Sequence, residues 1–353
     1  MSITVIKPGA LSQLQDLGRY GYQRFGVVVG GAMDEWSHRL ANALVGNDEN
    51  EATLEITLTG PSLRFEAAAR VARGGAALAP RVDGLGGTHT LPHGRPVDIA
   101  AGSQLRFGAR VAGARAYLAV AGGFEVPRVM GSRSTYLRGG FGGLEGRALR
   151  KGDVLRLRES TAPGPTGPGK EAQRAAQRGP QRGPLENAAS ARAALTLSVP
   201  PSPLIVPPPA VAPVNWVRIV AGRHWDVFTA ESRRQLLEAT FRIGAQSDRM
   251  GYRLAGPTLA RARTVELISE AVTVGTVQVP PDGQPIILMA DRQTAGGYPK
   301  IANVASVDLA VLAQLAAPEA LRFRLVTLAQ AQRLYVERER EYSRFRQALE
   351  ERQ

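Results

Sequence analysis

Five glycines, two arginines, two serines, a threonine and a tyrosine crowd the stretch GSRSTYLRGGFGG at 131–143. Glycine permits positive φ and close backbone approach, while Arg, Ser and Thr supply the donors that anions need. The stretch reads equally as an anion cradle or as a tight turn. Two other groups are as dense in polar chemistry. One is QDLGRYG at 15–21 with GGAMD at 30–34; the other is SDRMGY at 247–252, QVPPDG at 278–283 and DRQTAGGY at 291–298. Within them Asp291 and Asp282 are candidate general bases or donor-orienting groups, and Arg249 or Arg292 a candidate clamp for carboxylate or phosphate. Gln278, Gln293, Thr294 and Tyr298 are their neutral polar companions. Each has a plain structural alternative: Asp beside Gly favours turns, Asp and Arg pair with one another, and Gly-Gly often marks a bulge.

Other motifs fail on inspection. GPTGPGK at 164–170 matches most of a P-loop, but Glu171 replaces the Mg²⁺-binding hydroxyl and two prolines remove amides that should face phosphate. GGFGGLEG lacks the third glycine of a dinucleotide fingerprint, because Glu145 occupies its place. His89 and His93 are four apart, yet Pro92 between them argues against a helical ligand pair. With four histidines and no cysteine, no metal site is assigned.

Composition narrows the partners. The net charge of +13 would suggest nucleic acid, but only four of the 44 basic residues are lysines. The arginines are spread along the chain without an aromatic-interleaved block, so nucleic acid is not expected as a partner. No run of eighteen apolar residues and no secretory leader are visible, which argues against a membrane. The lack of cysteine suits a cytoplasmic location.

The elements that must position these residues are mostly strands. TLEITLT at 53–59 and LRFRL at 321–325 alternate with a period of two. Helical spacing predicts a helix over 34–45 with Asp34 as N-cap and Gly46 beyond its end, further helices near 231–240 and 307–315, and a charged C-terminal helix. Between them, proline and glycine at 161–213 are too dense for either element. The expected organisation is a β-rich half at 1–160, a disordered linker at 161–213, a second β-barrel half at 214–328 and a charged helix at 329–353. The halves echo one another in LTGPSL and LAGPTL, each followed by a Gly-Gly-aromatic step.

Together QDLGRYGYQRFG, GAMDEWSHRLANALVGN, LEITLTGPSL, YLAVAGGF, MGSRSTYLRGGFGG, SDRMGYRLAGP and VQVPPDGQPIILMADRQTAGGYPKIA resemble the KipA-like family, also called allophanate hydrolase subunit 2 or the biotin-dependent carboxyltransferase family. The resemblance covers about 3–158 and 215–326. It implies a mainly β fold of two cyclophilin-like β-barrel halves with a few helices, and a cytoplasmic hetero-oligomer with two partners, one KipI-like and one of LamB/YcsF type. The implied activity is an ATP-dependent amidohydrolase, a 5-oxoprolinase opening 5-oxo-L-proline to L-glutamate. Its cofactor would be ATP with magnesium, held without a P-loop. Alternatives within the family are a urea-type carboxyltransferase component that accepts biotin carried elsewhere, since no lysine here has a biotin-attachment context, and a regulator that binds a kinase inhibitor. Under this resemblance GSRSTYLRGGFGG reads as a site loop. The amides of Gly139, Gly140, Gly142 and Gly143 would approach an anion, with Arg133, Ser134 and Thr135 as donors and Tyr136 as a wall. Arg133, Asp291 and Asp282 are then the expected catalytic groups, and Ser134, Thr135, Tyr136, Gly139, Gly140, Arg249, Gln278, Gln293, Thr294 and Tyr298 the expected binding groups.

Overall fold

The computed structural model describes residues 1–84, 87–159, 214–263 and 267–351. The stretch expected as a linker at 161–213, with its P-loop-like GPTGPGK, lies outside the described residues. The first half holds strands β1 (Ser2–Lys7), β2 (Leu11–Gln15), β3 (Thr53–Thr57), β4 (Ser62–Phe65), β5 (Ala69–Ala77), β6 (Arg81–Gly84), β7 (Gly87–Thr90), β8 (Val97–Ile99), β9 (Gln104–Arg106), β10 (Ala112–Val120) and β11 (Val154–Arg156). They form a six-stranded sheet in the order β11-β1-β4-β9-β6-β7 and a five-stranded sheet in the order β2-β3-β10-β5-β8. Ile3, Leu63 and Phe65 from one sheet meet Leu54, Ile56, Val71 and Leu118 from the other in a shared core.

The five-stranded sheet is covered on its second face too. Helix α1 (Glu35–Leu44) lies there, so every residue of β10 is buried. Ala116, Leu118 and Val120 face the sandwich, while Tyr117 and Ala119 join Trp36 and Ala41 beneath the helix. This explains why β10 reads as a continuous run and not an alternating one. Helix α1 begins where the sequence predicts: Asp34 accepts from the Ser37 amide at 3.0 Å, and Gly46 follows its end at φ 77°.

The second half is a closed barrel. Its strands are β12 (Asn215–Ala221), β13 (Phe241–Ile243), β14 (Gly251–Ala255), β16 (Thr276–Gln278), β17 (Ile286–Leu288), β19 (Lys300–Val304) and β20 (Ala320–Leu325), with the short pair β15 (Glu270–Ala271) and β18 (Ala295–Gly296) beside it. The barrel order is β12-β19-β16-β17-β14-β13-β20, and β20 returns parallel to β12 to close it. Helix α2 (Ala230–Glu238), capped by Thr229, packs its Leu236 into the barrel core. The helix predicted near 307–315 is shorter, a 3₁₀ turn at Ser306–Asp308 leading into α3 (Leu309–Ala313).

Helix α4 (Leu328–Glu350) ends the described chain, and a capping box starts it: Thr327 accepts from the Gln330 amide at 3.2 Å and the Gln330 side chain accepts from the Thr327 amide at 2.8 Å. Although strongly charged, it folds back onto the first half. Tyr342 and Phe345 bury against Trp36 and α1, each contributing about 2 kcal/mol by area. Arg39 of α1 grips Glu339 through two bonds of 2.9 and 2.7 Å and lies 4.0 Å over the Tyr342 ring. The helix is thereby fixed across the boundary between the halves. Among the described residues no helix is long and apolar enough to cross a membrane.

Candidate functional site

Asp16, at the end of β2, organises the glycine-rich loop. Its carboxylate accepts from the Gly18 amide, the Ser132 hydroxyl, the Arg133 amide and the Ser134 hydroxyl at 2.6–2.8 Å. The Thr135 hydroxyl donates to the Leu14 carbonyl at 2.9 Å. The fully buried Arg19 donates to the Ser134 carbonyl at 2.8 Å and stacks 4.8 Å over the Phe141 ring. The tip closes on itself through Tyr136 and Phe141, whose rings pack edge to face at 5.5 Å.

The glycines serve that closure. A Cβ on Gly143 would lie 1.9 Å from the Thr135 hydroxyl, and one on Gly142 2.1 Å from the Ser134 carbonyl. The Gly140 and Gly143 amides donate to the Tyr136 and Arg133 carbonyls. Of the donors expected to form an anion cradle, the Ser134 and Thr135 hydroxyls and the Gly140 and Gly143 amides are thus engaged within the protein. Arg133 keeps a half-buried guanidinium, 3.7 Å from Glu51, with Nε and Nη1 lacking a hydrogen-bond partner. Glu51 also pairs with Arg158.

The loop leads to a buried junction between the halves. Arg249, before β14, binds both oxygens of Asp291 at 2.9 Å, the Gly31 carbonyl at 2.6 Å and Glu55 of β3. Glu55 also accepts from the Met33 amide and the Tyr117 hydroxyl, each at 2.9 Å. On the adjoining side Gln314 donates to Asp34 at 2.7 Å, and Arg115 of β10 donates to Tyr252 of β14 at 2.7 Å. Burial opposes the charge on Glu55, yet Arg249 and Arg115 hold its carboxyl below the usual range. Burial pushes the Asp34 carboxyl up despite three hydrogen bonds, and pushes the Tyr117 hydroxyl well up. The network welds the two halves together, since a buried charge is tolerated when paired and hydrogen-bonded.

The expected site residues thus divide. Asp291 and Arg249 come together from segments 42 residues apart, but as partners of each other, which leaves neither a free base nor a free clamp. Asp282 stands in the exposed turn between β16 and β17, its carboxylate accepting from the Gln284 amide, and takes no part in the junction. Gln278 is buried beneath Gly296, with its side-chain nitrogen lacking a partner. Thr294 offers its carbonyl to the Val272 amide, Gln293 is half-buried, and Tyr298 is exposed. Nearby, Lys300 reaches Glu270 at 3.0 Å. Among the described residues no cluster of acid, His or Cys side chains is arranged to hold a metal.

Beside the junction opens a cleft of about 280 Å³, walled by Gly30, Met33 and Trp36 of the first half, Ala290 and Arg292 of the second, and Arg338 of α4. Sequence reasoning named Arg292 but missed Glu55, Arg115, Tyr117 and Arg338. Glu55 carried the one available signal, a carboxylate inside a strand otherwise built of Thr, Leu and Ile.

A two-sheet sandwich joined to a seven-stranded barrel, with a polar junction and a cleft between them, defines the class of protein. The carboxyltransferase domain model, subdomains A and B, matches residues 25–325, and the chain belongs to that family. It is similar to the C subunit of 5-oxoprolinase from Escherichia coli, 35% identical over 332 residues covering 93% of both chains. Against the same component of Haemophilus influenzae 5-oxoprolinase it is 33% identical over 94% of each. The crystal structure of Kluyveromyces lactis urea carboxylase superposes with a TM-score of 0.82 at 28% identity, covering 98% of this chain and 29% of that one.

Proposed function

We propose that the chain is the C subunit of a 5-oxoprolinase, acting with other subunits to open 5-oxo-L-proline to L-glutamate at the expense of ATP. The observation that carries this reading is 35% identity extending over 93% of both this chain and its Escherichia coli relative. Opening an unstrained lactam is unfavourable, so coupling to ATP supplies the driving force, and arginines stabilise charge as it develops.

The described residues do not by themselves fit ATP with magnesium. Two of the four glycine amides that would cradle phosphate, those of Gly140 and Gly143, are engaged within the loop, and among the described residues no carboxylate cluster is arranged for a metal. We therefore place the nucleotide in the assembled complex, contacted by the KipI-like or LamB/YcsF-type partner, and give this chain the role of presenting a rigid junction and cleft. Asp291 acts there as a positioning residue through Arg249. A carboxyltransferase role with biotin delivered by another chain is the second reading, favoured by the likeness to urea carboxylase.

Co-expression with the two candidate partners and measurement of 5-oxoproline-dependent phosphate release tests the proposal. Stoichiometric phosphate and glutamate support it. A complex that leaves 5-oxoproline intact and instead carboxylates a urea-type substrate from carboxybiotin contradicts it.

A further inference from the structure

The cleft beside the junction is unbalanced in charge. Three arginines, Arg39, Arg292 and Arg338, and a single acid, Glu35, are among its walls. Arg39 is satisfied by Glu339 and Glu49. The other two are not. Arg292 reaches only main-chain carbonyls, those of Val272, Met289 and Ala290, at 3.4–3.5 Å, distances at which a hydrogen bond is weak. Arg338 reaches the Ser306 carbonyl at 3.3 Å, its Nε has no partner, and the carboxylate nearest to it, Glu339 at 3.9 Å, is already gripped by Arg39. Burial depresses the basicity of both guanidinium groups, outweighing the nearby carboxylates of Glu35 and Asp291 at Arg292 and of Glu339 and Glu35 at Arg338. Behind the wall, Arg19 has a buried Nη1 without a partner, close to the position a side chain on Gly30 would take.

Most of the rest of the lining is apolar or aromatic, Ser306 apart: Val29, Met33, Val274 and Leu309 stand there, with the Trp36 ring below Arg338 at 5.4 Å. Such walls suit an organic body carrying one anionic group better than a bare phosphate. We propose that this cleft binds a small organic carboxylate, its charge received by Arg292 from the barrel half and Arg338 from α4. Helix α4 is then part of the binding site, not an appendage. Arg338 enters the cleft because Arg39, Glu339, Tyr342 and Phe345 dock the helix on α1. The inference deepens the proposed function by naming the chemical group this cleft receives, and because the test reads binding and not turnover, its failure and that of the proposed activity are distinguishable.

The test is titration calorimetry on the full chain with acetate, propionate, L-glutamate and 5-oxo-L-proline, using propionamide and inorganic phosphate as contrasts. The wild type should bind at least one carboxylate saturably and more than tenfold tighter than propionamide. Arg292→Gln and Arg338→Gln should each weaken that binding at least tenfold, while Arg340→Gln, an exposed position on the same helix, should not. Because Arg292 lies outside α4, its variant keeps the test sound if Arg338→Gln loosens the helix, which circular dichroism would show. Binding of a carboxylate other than 5-oxo-L-proline, with the same arginine dependence, upholds the cleft and counts against the proposed activity. Absence of carboxylate binding, affinity unchanged in both variants, or tighter binding of phosphate overturns the inference.

Discussion

In the glycine-rich loop the hydroxyls of Ser132 and Ser134 end on Asp16, that of Thr135 ends on a carbonyl, and two glycine amides close the turn. In the junction cleft Arg292 finds only carbonyls at 3.4 Å or more, and the Nε of Arg338 finds nothing. Both regions hold donors of the kind an anion needs. They differ in how far those donors are engaged: the loop's hydroxyls are taken, and its Arg133, though Nε and Nη1 lack a hydrogen bond, stands 3.7 Å from Glu51, whereas Arg292 and Arg338 have no close carboxylate of their own. An engaged donor cannot be offered to a ligand without leaving its first partner unsatisfied, at about 1–3 kcal/mol. The density of Gly, Arg, Ser and Thr in a sequence therefore marks a backbone under close constraint, and the leftover cations mark the place for a ligand.

The junction offers the largest effect with which to break this comparison. Arg249→Ala would leave Glu55 and Asp291 buried without their cation, and should cost about 4 kcal/mol in chemical denaturation. A loss below 1 kcal/mol would mean that the halves are held by something else. Asp16→Ala, which strips four donors in the loop of their acceptor, should cost about 3 kcal/mol. If the loop instead serves a ligand, that substitution should abolish activity with little change in melting.

Acid sharpens the picture next. His38, fully buried between Thr53 and the Glu49 carbonyl, has its pKa lowered to about 4, chiefly by burial. A folded value below the unfolded one of about 6.5 means that its contribution is complete above pH 6.5 and is lost as pH falls toward 4. The loss should be on the order of 3 kcal/mol. His38→Gln should flatten that part of the stability profile, and an unchanged profile would show that His38 does not carry it. Glu55, held below the usual carboxylate range, adds a further loss at lower pH, as it is protonated.

Within the loop, two glycines give smaller and opposed cases. Gly140 sits at φ 65° in open space, so Gly140→Ala should cost about 1 kcal/mol, for backbone strain alone. Gly143→Ala adds a clash with Thr135 and should cost clearly more. Equal melting temperatures would refute the packed turn. At the exposed rim, Arg138 pairs with Asp248 at 3.3 Å across the two halves, and Arg138→Ala should change stability by less than about 0.5 kcal/mol.

Much of this was legible in the sequence. Asp34 and Gly46 mark the ends of α1, because caps act locally, and the alternation in TLEITLT and LRFRL identifies β3 and β20. The motifs at 15–34, 131–143, 247–252 and 291–298 do converge. Their roles were not legible. A positive φ needed for a turn and one needed to approach a ligand place the same glycine in the sequence. Arg249 and Glu55 are separated by 194 residues, and no periodicity reports a pairing at that distance. The same holds for Arg338, whose helix reads as a solvated charged segment because only Tyr342 and Phe345 are buried among its 23 residues.

The division between engaged and leftover donors is tested most directly by turnover per folded molecule in the reconstituted complex, comparing Arg292→Gln with Ser134→Ala on preparations of known melting temperature. Arg292→Gln should melt like the wild type and lose at least tenfold in 5-oxoproline-dependent phosphate release. Ser134→Ala should melt lower and turn over normally once corrected for unfolded protein. Normal turnover by Arg292→Gln, with turnover lost in a fully folded Ser134→Ala, would return the active role to the glycine-rich loop.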